Sequence, residues 1–88
     1  MIGIDGCRPD ALLGAGAPAI EALIAEGTIS VEAQTGARTS SGPSWSSLLT
    51  GTWADKHGVT DNSFDGNRFG QYPHFFRRIE EVRPELFT

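Results

Sequence analysis

The sequence predicts an α/β fold, a βαβ unit followed by a helix, an irregular loop and a closing helix. Two observations predict the strands: the short apolar run Met1–Ile4, and the β-branched stretch Thr28–Thr35 with its partial polar alternation. The third is the helical apolar spacing between them. Strand, helix and strand in that order form a right-handed crossover, which lays the two strands parallel with their carboxyl ends on one edge.

Each element has a local reason. Met1–Ile4 is the first strand and runs into Asp5-Gly6 at its carboxyl end. Pro18 suits a first helical residue, Ile20, Leu23 and Ile24 fall on one face, and Gly27 stops the helix, which therefore covers Pro18–Glu26. Thr28–Thr35 is the second strand, with one wetter face. Gly36–Ser40 is a polar loop into a helix that starts at Ser41, has Pro43 in its first turn and reaches about Thr50. Thr52–Gly70 is rich in Gly, Asn, Asp and Ser and is expected to be irregular. The last helix starts near Pro73, puts Phe75, Phe76, Ile79 and Val82 on its apolar side, and is closed by Pro84.

Composition excludes several classes. A net charge of −4 without a basic stripe argues against nucleic acid as a general partner. Lys56, Arg68, Arg77, Arg78 and Arg83 are scattered and read as solvated charges. The single cysteine, Cys7, cannot form an internal disulfide and reads as a small packing residue. No run is apolar enough to span a membrane, and no signal peptide is recognisable.

Chemistry concentrates at two places. Ser41 places a hydroxyl where a turn becomes a helix, where backbone N–H groups would face an anion, and Gly42 would let a ligand approach the backbone. Ser41 could equally serve as the helix cap. Asp5 ends the first strand, at the edge where open α/β folds bind ligands. The separation of 36 residues is what strand, helix, strand and two loops require, so both are expected to share one site. Asp61-x-Ser63-x-Asp65-Gly66 opens like an EF-hand loop but has Tyr72 where the twelfth-position Glu belongs, so calcium binding is not expected. Trp45 and Trp53 are read as buried packing, and His74 as solvent-facing.

Asp5-Gly6-Cys7-Arg8-Pro9-Asp10, Ser41-x-Pro43 with Leu49-Thr50-Gly51, and His57-Gly58-Val59 with Asn62 together resemble the N-terminal part of the alkaline phosphatase superfamily, in its type I phosphodiesterase/nucleotide pyrophosphatase-like branch. The resemblance covers roughly Ile2 to Asn62. It implies hydrolysis of phosphate esters, at phosphodiester or pyrophosphate bonds of a small-molecule substrate, through a covalent phosphoserine. Ser41 would be the nucleophile and a metal contact, Asp5 a metal ligand, Asn62 a phosphoryl donor, and the cofactors two divalent ions, zinc by preference. Ser41 stands where many phosphodiesterase relatives carry threonine. His57 is structural in the resembled enzymes. A periplasmic or secreted parent protein would be in keeping with the family.

The superfamily's enzymes are several times longer than 88 residues, and their other ligands have no counterpart after Asn62. The expectation is therefore an N-terminal fragment, residues 1–88, of one metallohydrolase catalytic domain: the βαβ-plus-helix portion of an alkaline-phosphatase-like parallel-sheet sandwich, truncated and inactive alone. Sulfatases are the alternative, since they share a C/S-x-P-x-R motif; here the Arg is replaced by Trp45.

Overall fold

The computed structural model describes residues 1–36 and 38–86. Five helices succeed one another: α1 (Pro9–Gly14), α2 (Pro18–Glu26), α3 (Ser41–Thr50), α4 (Ala54–His57) and α5 (Phe75–Val82). The chain divides into two compact units, Met1–Gln34 and Thr35–Thr88.

In the first unit, α2 has the expected bounds, with Pro18 at its start and Gly27 after its end. Helix α1 was not anticipated. Its signals were present: Pro9 pre-sets φ in the first turn, and Asp10 complements the positive end of the helix dipole. The two predicted strands, Met1–Ile4 and Thr28–Thr35, form no ladder; no β-strand occurs among the described residues. A parallel pair is stable when both faces are covered. Here Ile2 is 87% exposed, Ile4 58% and Val31 45%, and no described residue of this unit is buried. Cys7 is exposed as well, so it is not the packing residue that the sequence suggested.

The second unit is organised around α3, which packs against α4 and α5. Gly42, Pro43 and Ser46 form its buried face, and His57 and Val59 are the fully buried large side chains among the described residues. Gly51 ends α3 in the left-handed region at φ 67°, and its N–H caps the carbonyl of Ser47. Within the stretch expected to be irregular, α4 makes one short turn before Gly58. Arg68 is not merely solvated: its N–H donates to the His57 carbonyl at 2.8 Å, its guanidinium donates to the Asp55 carbonyl, and it lies 6.0 Å from the Tyr72 ring centroid. Gly58 is obligatory at this clasp. Its φ is 79°, and a Cβ there would stand 2.3 Å from the carbonyl oxygen of Gly66. Helix α5 begins where His74, exposed as expected, accepts a hydrogen bond from the Arg77 N–H through Nδ1 at 3.2 Å.

Two outcomes follow from this distribution of burial. Backbone amides of residues 1–34 should exchange with solvent within the dead time of a hydrogen-exchange experiment, whereas those of α3 and Val59 should be protected. A cooperative melt of the whole chain above about 60 °C would contradict that division. Ser46 is 3% exposed and its hydroxyl has no hydrogen-bond partner among the described residues. Ser46→Ala should therefore leave the protein unharmed or raise its unfolding free energy by about 1 kcal/mol in urea titration, since an unsatisfied buried hydroxyl is costly.

Candidate functional site

The N-terminus of α3 carries the candidate nucleophile. Ser40 is the N-cap, without a side-chain cap bond, and the exposed Ser41 is the first helical residue. Ser41 is thus not the cap. The expected set of backbone donors at this end is depleted: Pro43 has no N–H, the Ser44 N–H goes to the Ser40 carbonyl at 3.2 Å, and the Gly42 N–H donates to Oδ1 of Asn62 at 2.7 Å. That last bond joins the helix start to the loop 20 residues on.

Gly42 does not leave room for a ligand here. A Cβ at this position would lie 2.5 Å from the Asp61 carbonyl oxygen and 3.0 Å from Asn62 Oδ1, so the glycine makes room for the 61–62 backbone. That loop is tied by a short relay. Asp61 Oδ1 accepts from the N–H of Ser63 at 2.9 Å and from its hydroxyl at 2.7 Å, while Ser63 Oγ accepts from the Asp65 N–H at 3.1 Å. The Ser63 hydroxyl, then its backbone N–H, holds the Asp61 carboxyl below its usual range. Asp61 and Ser63 are therefore turn formers that present Asn62 to the helix.

Beneath this surface lies His57, fully buried. The Val59 N–H donates to its Nδ1 at 3.0 Å, and its Nε2 lies 3.0 Å from Ser47 Oγ. Because a backbone N–H can only donate, Nδ1 bears the lone pair and the proton sits on Nε2. His57 therefore donates to Ser47. The nitrogen facing that hydroxyl is protonated and cannot act as its base, so the two are not a nucleophile–base pair. His57 fixes α3 to the 57–59 turn, in line with its structural reading.

A cavity of about 330 Å³ runs along the Pro43–Ser47 side of α3, bordered also by Ser44, Arg38, Trp53 and Thr60. Trp53 was expected to be buried, yet it is 61% exposed. Its six-membered ring covers Gly36, where a Cβ would meet it at 3.5 Å. Trp45 is half-buried. Asp5 belongs to the first unit and Ser41 and Asn62 to the second. The structure links the Ser41 helix to Asn62, and the sequence offered no signal for the Gly42 bond that does so.

A family model described as type I phosphodiesterase/nucleotide pyrophosphatase matches residues 1–87. The chain belongs to that family. It thereby falls in the alkaline phosphatase superfamily, as the Asp5, Ser41–Gly51 and His57–Asn62 motifs implied. No curated protein and no solved structure matches it. Phosphodiesterase or pyrophosphatase activity is the family's chemistry, and the family is generally metal-dependent. Among the described residues, however, no three His, Cys, Asp or Glu side chains are gathered to hold an ion.

The buried imidazole has a measurable consequence. Burial holds His57 below its ordinary pKa of 6.5, with Asp55 opposing that shift and Arg68 adding to it. The unfolded chain takes up a proton near 6.5 that the folded chain refuses, so the contribution of this group is complete above that pH and declines as pH falls below it. The urea midpoint should drop between pH 7 and pH 5. In His57→Asn, where Oδ1 can still accept from Val59, that part of the slope should flatten; an unchanged slope would remove His57 from the explanation.

Proposed function

We propose that this chain carries the nucleophile of a phosphodiesterase acting on a small phosphate ester or pyrophosphate. Ser41 Oγ gives its proton to solvent water and forms a bond to phosphorus as the bond to the leaving oxygen breaks. The leaving group departs taking a proton from water, and a second water then cleaves the phosphoserine to release the phosphate product and restore the hydroxyl. Asn62 donates through Nδ2 to a non-bridging phosphoryl oxygen, where charge develops in the transition state. The observation that carries this reading is the 2.7 Å bond from Gly42 N–H to Asn62 Oδ1, which anchors that amide beside the residue next to Ser41.

Asp5 is proposed as one carboxylate ligand of the divalent ions, with Ser41 as a second contact. The remaining ligands would come from outside these 88 residues, which form the N-terminal portion of an α/β catalytic domain. When bound, the ions would lower the pKa of the Ser41 hydroxyl. These 88 residues alone are expected to turn over little substrate.

The test is hydrolysis of an aryl phosphodiester by the complete catalytic domain. Ser41→Ala should bring turnover to background and abolish the labelled phosphoenzyme. Asn62→Ala should lower kcat by about 10²–10³ with bound metal unchanged, the loss typical of one oxyanion donor. Asp5→Ala should lower metal content and rate together. Retention of most diesterase activity by Ser41→Ala would remove the nucleophile assignment. An aldehyde at residue 41 with preference for aryl sulfate would transfer the chain to the sulfatases.

A further inference from the structure

We propose that Gly42 is a positioning residue that sets the amide of Asn62 for phosphoryl contact, through its N–H and through its lack of a side chain. The inference rests on the phosphodiesterase reading above and adds to it a residue that the chemistry itself does not require.

An Asn side chain has two nearly isosteric ends, and only one can donate. The Gly42 N–H removes that ambiguity, because a backbone N–H at 2.7 Å must face the carbonyl end of the amide. Nδ2 is then the end left to donate, on a residue exposed to solvent. A bond at Oδ1 also draws electron density from the amide and makes Nδ2–H a stronger donor. The first turn of α3 supplies few donors of its own, since Pro43 has none and the Ser44 N–H is satisfied by the Ser40 carbonyl. What this helix end offers an anion passes in good part through Asn62.

The second half of the argument is steric. A Cβ at residue 42 would stand 2.5 Å from the Asp61 carbonyl oxygen, 3.1 Å from its carbon and 3.0 Å from Asn62 Oδ1. The Asp61 oxygen and carbon are backbone atoms; only Asn62 Oδ1 belongs to a side chain. The two backbone atoms yield only if the loop retreats, and a retreat of the loop carries Asn62 away from Ser41. Gly42 is therefore needed for the approach itself, although its own φ is not in the left-handed region.

The experiment has two arms. In the complete domain, Gly42→Ala should lower kcat about as far as Asn62→Ala does, with KM little changed, and the double variant should be no worse than Asn62→Ala alone. Fully additive losses, or a Gly42→Ala enzyme of normal kcat, would overturn the proposal. Asn62→Asp keeps an acceptor for Gly42 N–H but has no Nδ2 donor. It should hold the Tm near that of the parent protein while kcat falls; unchanged Tm and unchanged kcat would mean that the bond is structural only.

The other arm uses hydrogen exchange at the Gly42 amide of the 88-residue chain and needs no activity. Exchange should be slow in the parent and in Asn62→Asp and fast in Asn62→Ala. Equal rates in all three would overturn the proposal whatever the enzyme does. Slow exchange in the parent, combined with an active Ser41→Ala enzyme, would instead place the failure in the phosphodiesterase reading.

Discussion

The second unit depends on one buried ring. His57 is the only fully buried large polar side chain among the described residues, and both of its nitrogens are used: one accepts from Val59 and the other donates to Ser47 on α3. A buried imidazole stays neutral when both ring positions are satisfied, and that neutrality lets it sit beside Val59 without a counter-charge. The turn that it fastens leads directly into Thr60, Asp61 and Asn62. That seat brings the loop to the start of α3, where the Gly42 N–H holds Asn62.

From that seat the candidate site is assembled by short-range contacts. The Asp61–Ser63 relay shapes the loop, Gly42 leaves space for its backbone, and Gly42 N–H orients the amide. Each of these is a small interaction, on the order of 1 kcal/mol net. Together they act as a network, in which the bond made by one member determines what the next can offer. The site differs in this respect from a bare helix N-terminus, where several backbone donors would face an anion.

The family assignment and the described residues bear on different scales. The family model matches residues 1–87, yet neither a metal-ligand cluster nor a β-ladder forms among the described residues. A parallel sheet needs covering layers on both faces, and a two-ion centre needs ligands converging from several strand ends. Ile2, Ile4, Val31 and Leu23 are exposed in this structure.

Much was legible in the residues alone. Pro18 and Gly27 bounded α2, Pro43 and Gly51 bounded α3, and the apolar spacing of Phe75, Phe76 and Ile79 located α5, because capping and periodicity act within a few residues. The ordered motifs were enough to name the family. Tertiary structure decided what depends on contact between distant residues: that His57 is a buried strut, that Trp53 is exposed, and that Gly42 serves the 61–62 loop. Whether a stretch such as Met1–Ile4 or Thr28–Thr35 joins a ladder is likewise not a local property. A strand's hydrogen bonds go to another segment, so its sequence can favour the conformation but cannot supply the partner.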